Sequence, residues 1–366
     1  MAAVKHVGVI GAGLAGLAAA LAAVQAGMRV DLFEARSAPS AVLAHIDVVP
    51  NLLRDLVALG IGDACVRCGF QYRGLEVVDA EARTRFEIPT PRLAGVRYPP
   101  SLGMVYGDLL QLLRDAGLAH GARLHLGTPV LDAWDKGAIV TADGERHRVD
   151  LSLIATGPTL PAVAATAPRA TALASLPQQW CYALLPRPVA LERTTWVIGH
   201  GTTKALVVPV DMRRAGIAVL QPEGASQAPA ALRQTLAAQG PLLRSLGALC
   251  GDDMPTQLRA VHSGVLDGEW HAHGALRIGH SAHVLPPHFG QAAAQTLEDA
   301  VVLGDLLRAR PQRNALLQAF MARRGKRARR VHALVAQAAR WDVQPDATTD
   351  LRALAGELAR IVAEPA

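Results

Sequence analysis

Short apolar runs and longer periodic ones alternate along the chain, and their spacing predicts most of its elements. HVGVI (6–10) is β-branched and apolar after its first residue, as a strand buried on both faces of a parallel sheet requires. LAGLAAALAAVQAG (14–27) then reads as a helix closing at Gly27, and MRVDLF (28–33) as a second strand. A different texture follows in TTWVIGHGTTKALVVPV (194–210) and AGIAVLQPE (215–223), where alternation fits antiparallel strands. Helical spacing returns late. Gly290 opens a helix expected from about Gln291 to Leu307, and residues 320–341 form another. The last helix carries Leu351, Leu354, Leu358, Ile361 and Val362 behind a Thr349–Asp350 cap. The fold class is therefore α/β: a Rossmann-like parallel sheet combined with an antiparallel sheet and C-terminal helices.

At 366 residues and 51% hydrophobic content, the chain has enough core for two lobes and too little polarity for a disordered protein. The net charge of +6 owes most to arginine, and its densest run, ARRGKRARR (322–330), reads as a solvated helix face and not as a nucleic-acid site. Four cysteines make no disulfide framework. Cys65 and Cys68 form a C-x-x-C after a helix, not at a helix N-terminus that would activate a thiol, so they read as packing residues. The uncharged stretch from His6 to Met28 has glycines at turn spacing, which argues against a signal peptide or membrane span. The expected location is the cytoplasm.

The first thirty-six residues carry the clearest chemistry. Gly11, Gly13 and Gly16 stand in G-x-G-x-x-G spacing between strand and helix. Gly11 permits the tight turn, Gly13 lets backbone approach a pyrophosphate, and Gly16 lets helix pack on strand. Leu14 and Ala15, at the helix start, offer unpaired N–H groups to phosphate. Glu34, followed by Ala35 and Arg36, ends the second strand where a carboxylate accepts hydrogen bonds from ribose hydroxyls. This is a dinucleotide fingerprint that by itself does not separate NAD from FAD.

With DLSLIATG (150–157) and GALRIGHSAHVLPPHFGQAAAQTLEDA (274–300) added, the chain resembles the FAD-dependent aromatic hydroxylases of the para-hydroxybenzoate hydroxylase type, the class A flavin monooxygenases. The resemblance extends through VVPNLLRDLVALGIGDA (48–64), SLGMVYGDLLQLL (101–113), the strand pair at 196–210 and the trailing helix at 320–341. It implies interleaved domains: an FAD lobe at 1–74, 98–160 and 270–330, a substrate lobe at 75–97 and 161–269, and C-terminal helices at 331–366. It also implies bound FAD, NAD(P)H as co-substrate, and transfer of oxygen through a flavin C4a-(hydro)peroxide to a small aromatic or apolar substrate. The expected partner is that small molecule, with no nucleic acid and no membrane, in a monomer or homodimer.

Carried onto this chain, the family's cofactor contacts fall at Thr156, Gly157, Gly279, His280, Pro286, Gly290, Gln291 and Ala292. Pro287, His288 and His45 come nearest the reacting edge, with Tyr98, His200 and Lys204 as further polar residues facing the pocket. Several letters depart from the family. His280 replaces an aspartate that contacts the ribityl chain, Thr156 replaces the aspartate of an Asp-Gly motif, Gly107 replaces an arginine, and Ala292 and Gln295 stand where a second glycine and an asparagine are usual. These changes leave two alternatives open: an FAD oxidoreductase without oxygen transfer, and a cofactor-poor ligand-binding relative. His280, His283 and His288 lack the spacing of a metal site, and none is expected.

Overall fold

The computed structural model describes residues 3–39, 44–135, 138–158, 174–309 and 312–366. Its first layer is a six-stranded sheet. The strand His6–Ile10 lies at its centre, with Arg29–Phe33 on one side and Leu151–Ile154 on the other, all parallel. Arg123–His125 extends one side in parallel, while Ala275–Arg277 extends the other and is capped by the antiparallel His271–Ala272. The apolar run at 6–10 is buried from Val7 onward, as a central parallel strand must be. The alanine-rich helix Leu14–Gln25 packs on this sheet and against the helix Gln291–Arg308, its small side chains letting two helices approach one sheet closely.

The second layer is an eight-stranded sheet in the order His283–Val284, Thr256–Val265, Ala174–Pro186, Arg214–Pro222, Lys204–Pro209, Thr195–Ile198, Leu75–Val78 and Thr84–Ile88. All its pairs are antiparallel except Thr195–Ile198 with Leu75–Val78. One face buries Cys181, Ala183, Val207, Ile217 and Val219 under the helices Pro229–Ala237 and Pro241–Gly247. The opposite face carries Trp180, Tyr182, Ala218, Leu220, Leu206 and Trp196, as cross-strand pairing requires of residues opposite one another.

A three-stranded sheet of His45–Val48, Ser101–Val105 and Phe70–Tyr72 joins the layers. Its contact with the large sheet depends on missing side chains. A Cβ on Gly216 would lie 2.2 Å from the His45 ring, and one on Gly103 would lie 2.1 Å from the Pro209 carbonyl.

The basic run at 322–330 corrects its sequence reading. It sits on the 31-residue helix Arg313–Val343, but most of its arginines turn inward. Arg324 is fully buried, with Nε 2.7 Å from Asp299 and a second bond to Glu298. Arg327 holds Glu298 and the backbone of Ile361 and Glu364, and Arg329 takes the carbonyls of Leu266 and Gly268. Charge alone does not reveal this, because its compensating carboxylates lie on another helix. The final helix, Leu351–Ala363, has the expected cap: Asp350 accepts from Ala353 N at 2.9 Å, and Leu354, Leu358 and Val362 are buried.

Candidate active site

Three of the motifs meet at the C-terminal ends of adjacent strands. After His6–Ile10, Gly11 takes φ +99, and a Cβ on Gly16 would stand 1.8 Å from the Gly11 carbonyl, so the helix Leu14–Gln25 sits directly on the turn. Gly13 has nothing within 4 Å of an added Cβ and is the N-cap of that helix, with no side-chain cap and no acid in the first turn. The result is a helix N-terminus with unused donors facing open space, which fits a pyrophosphate. Glu34 accepts from Ala12 N at 2.8 Å and Arg36 N at 3.0 Å, leaving carboxylate lone pairs for ribose hydroxyls. Ala35 and Arg36 are exposed beside it.

The second turn, Thr156–Gly157, follows Leu151–Ile154, and Gly157 has φ +85. It is tied to the third turn, since Gly157 N donates to Ser281 Oγ at 3.0 Å. Thr156 therefore keeps a formed turn despite the missing carboxylate. The third turn, Gly279–Ser281, follows Ala275–Arg277. Gly279 has φ +54, and a Cβ there would approach Ala15 Cβ to 2.7 Å, so its backbone lies against the glycine-loop helix. Gly279 N donates to Asp299 Oδ2 at 2.8 Å, and the same oxygen is 2.7 Å from His283 Nε2. Burial would raise the Asp299 pKa, but His283 and Arg324 outweigh it and hold the group at about 2.

His280 is deep enough that burial, with His283 and Arg259 adding to it, lowers its pKa to about 4, and it is neutral at physiological pH. Its Nε2 is buried with no hydrogen-bonding partner. A buried unpaired imidazole nitrogen in a polar turn calls for a partner, and a ribityl hydroxyl supplies one. With the free helix terminus and the carboxylate of Glu34, this makes the residues present fit FAD.

The segment after the third turn brings the remaining candidates against the large sheet. Pro286 and Pro287 lead to His288, whose Nε2 lies 2.6 Å from Asp342 Oδ2, with both side chains buried. The His288 ring lies 5.5 Å from Trp196 and 6.3 Å from Trp180. Phe289 has φ +55 and Gly290 φ +66, and this left-handed pair sets the start of the helix Gln291–Arg308. That helix also has no side-chain cap. The Gln291 amide is paired with Asn51, so the backbone N–H groups of the first turn, including that of Ala292, are what it offers a ligand. Gln295 is buried against Arg324.

His45 lies over Gly216 with its ring 5.8 Å from Tyr182, and burial lowers its pKa to about 4. The cleft thus gathers His45, His288 and Lys204. It does not gather Tyr98, which is half-buried against the main core beneath Arg97, or His200, which is exposed and whose backbone N is held by Gln239. Ser281, Asp299, Tyr182 and Asp342 were not legible as site residues, because each acts through a partner more than fifteen positions away in sequence. Among the described residues no group of His, Cys, Asp and Glu could hold a metal ion, and no helix is long and apolar enough to cross a membrane. Cys65 is buried, with burial pushing its thiol up to about 12.

A sequence profile for the NAD(P)-binding Rossmann-like domain matches residues 9–61. The FAD-dependent urate hydroxylase of Klebsiella pneumoniae is 28% identical over 351 residues, covering 88% of this chain and 86% of its own. The 2-heptyl-3-hydroxy-4(1H)-quinolone synthase of Pseudomonas aeruginosa is 26% identical over 315 residues, 84% of this chain and 82% of its own. The tetrameric form of 2-methyl-3-hydroxypyridine-5-carboxylic acid oxygenase has the same fold, with a TM-score of 0.83 at 20% identity over 98% of this chain and 96% of that one. By its motifs and its similarity along most of its length, the chain resembles the FAD-dependent hydroxylases of the class A flavin monooxygenases, and its fold is that of the pyridine carboxylic acid oxygenase.

Proposed function

We propose that the chain is an FAD-dependent monooxygenase that uses NAD(P)H and O2 to hydroxylate a small substrate with an aromatic or apolar body. The observation that carries this reading is the meeting of the glycine loop, the Thr156–Gly157 turn and the Gly279–Ser281 turn, the last two hydrogen-bonded and the first packed against Gly279, with His288 beyond them against Trp180 and Trp196 of the large sheet. Relatives named for urate, a quinolone and a pyridine carboxylic acid support a small ring substrate.

Gly11, Gly13, Leu14, Ala15 and Gly16 would hold the pyrophosphate, Glu34 with Ala35 and Arg36 the ribose end, and Thr156, Gly157, Gly279 and His280 the ribityl chain. FAD, when bound, supplies the redox and oxygen chemistry. Around it, the uncapped start of Gln291–Arg308 places backbone donors and a positive dipole end toward negative charge beside Pro286 and Gly290. Half-buried Pro287 and buried His288, with buried His45 opposite, wall the reacting edge and so limit access of water. His45 is neutral across the physiological range and can accept or donate a proton at Nδ1, which has no partner.

The FAD lobe takes residues 1–74, 98–160 and 270–330, the substrate lobe 75–97 and 161–269, and the C-terminal helices 331–366. The enzyme works in the cytoplasm as a monomer or homodimer. The deciding experiment is an absorbance titration with FAD, followed by anaerobic addition of NADH or NADPH and then by oxygen with candidate substrates. Bound flavin that bleaches and then yields hydroxylated product is the expected result. Flavin that bleaches without product formation identifies an oxidoreductase, and a protein that takes up no FAD is a ligand-binding relative.

A further inference from the structure

Lys204 is the buried cation that the cofactor scheme does not use. It begins the strand Lys204–Pro209, is only 8% exposed, and has no hydrogen-bonding partner among the described residues. Its stem is buried while its ammonium has no protein partner among those residues, so its three donors are free to meet a ligand in the cleft. The nearby carboxylate, Asp342, feels Lys204 electrostatically but gives its Oδ2 to His288 at 2.6 Å and makes no direct ion pair with the lysine. Burial lowers the lysine's pKa and Asp342 offsets this only in part, so an anionic ligand would complete the compensation while the donors stay unspent.

Register fixes what lies beside it. Lys204 pairs with Leu220, Leu220 with Trp180, and Trp180 with Arg259, so one row crosses four strands on the face that also covers His45. The next row runs from Tyr182 through Ala218 and Leu206 to Trp196. Lys204 thus lies in this row between Ile198 and Leu220, and His288 packs on the same face against Trp196 and Trp180.

We propose that Lys204 is the specificity-determining residue of this cleft: its ammonium takes the acidic group of the substrate while the ring lies against Trp180, Leu206, Leu220 and Trp196. The Asp342–His288 pair holds the cation in place without quenching it. Arg259, at the other end of the row, is exposed and hydrogen-bonds Gln257 at 3.5 Å, so its charge is far better screened. This deepens the monooxygenase reading and rests on it for the location of the reacting ring.

The test uses the full-length protein with its FAD content recorded, and three probes: benzoate, 4-hydroxybenzoate and quinoline-4-carboxylate, each against its neutral amide. Binding is read from tryptophan fluorescence, since Trp180 and Trp196 border the site, so no turnover is needed. Wild type should bind at least one acid roughly ten- to a hundredfold more tightly than its amide, as the loss of a charged hydrogen bond implies. Lys204→Met should abolish that preference and Lys204→Arg should restore part of it, with urea unfolding confirming that each variant is folded. An unchanged acid-to-amide ratio in Lys204→Met, its collapse in Arg259→Met instead, or no binding of any probe by wild type would overturn the proposal. A colourless protein that still discriminates acid from amide through Lys204 would refute the FAD reading and leave this one standing.

Discussion

At the scale of single residues, the glycines divide by what surrounds them. Gly16 is closed in by the Gly11 carbonyl, whereas Gly13 has ordinary φ of −81 and open space about its Cβ position. Gly13→Ala is expected to leave the unfolding free energy of the cofactor-free protein within about 0.5 kcal/mol while weakening FAD at least about tenfold, because the methyl enters only the ligand's space. Urea unfolding beside an FAD titration checks both halves. Gly16→Ala is expected to damage the fold itself. The spacing of these glycines was legible in the sequence because each needs only local geometry. The role of Ser281 was not, since its partner, Gly157, lies 124 residues away.

The histidines give a pH signature at the same scale. His45 and His280 have folded values of about 4 against an ordinary 6.5. Between these limits the unfolded chain binds protons that the folded chain refuses, so stability is full above pH 6.5 and is lost as pH falls toward 4. Asp47 runs the other way: burial raises it from 3.8 to about 6, so its contribution is present below 3.8 and lost as pH rises through 6. Replacing His280 by Asn should remove one part of the acid loss. Denaturation at pH 7 and pH 4.5 should show wild type losing about 2 kcal/mol more than the variant over that interval.

At the scale of elements, the helices Gln291–Arg308 and Arg313–Val343 are joined by charge as much as by apolar contact. Arg324 offsets both Glu298 and Asp299 in the core, and Asp299 in turn fixes the Gly279 turn. Arg324→Met should leave Asp299 with His283 alone and Glu298 with Arg54 and Arg327, and cost about 3 kcal/mol, measurable by urea unfolding. The period of these helices was readable from their apolar positions. The inward turn of 322–330 was not, because a helix face rich in arginine looks alike whether it meets water or a buried acid. The start of Gln291–Arg308 is a second case: Gly290 was legible as its opening, but the left-handed Phe289 before it was not. Gly290→Ala would bring Cβ to 2.7 Å from Val49 at φ +66, and should lower stability by about 1–3 kcal/mol with a matching loss of FAD affinity.

At the scale of the whole molecule, the large sheet meets the three-stranded sheet, which joins it to the parallel sheet, across a joint set by His45 on Gly216 and by Gly103 on Pro209. A cofactor held between them binds only the folded arrangement, so FAD at about one hundred times its Kd should add about 2.7 kcal/mol to stability. Thermal unfolding with and without FAD should show this rise in wild type and, at the same FAD concentration, no more than about 1.4 kcal/mol in Gly13→Ala. The two textures of strand were plain in the sequence, and so was their assignment to two kinds of sheet. How they face each other depends on side chains absent from Gly103 and Gly216, which no hydrophobic pattern records.

The strand Ala275–Arg277 and the turn after it sit directly beside Leu151–Ile154, although more than a hundred residues separate them in the chain. During synthesis the glycine loop therefore leaves the ribosome long before the turn that completes its site, and the emerging sheet must wait with one edge unpaired. Cofactor capture becomes a late checkpoint in biogenesis, open only to chains that have delivered their final third.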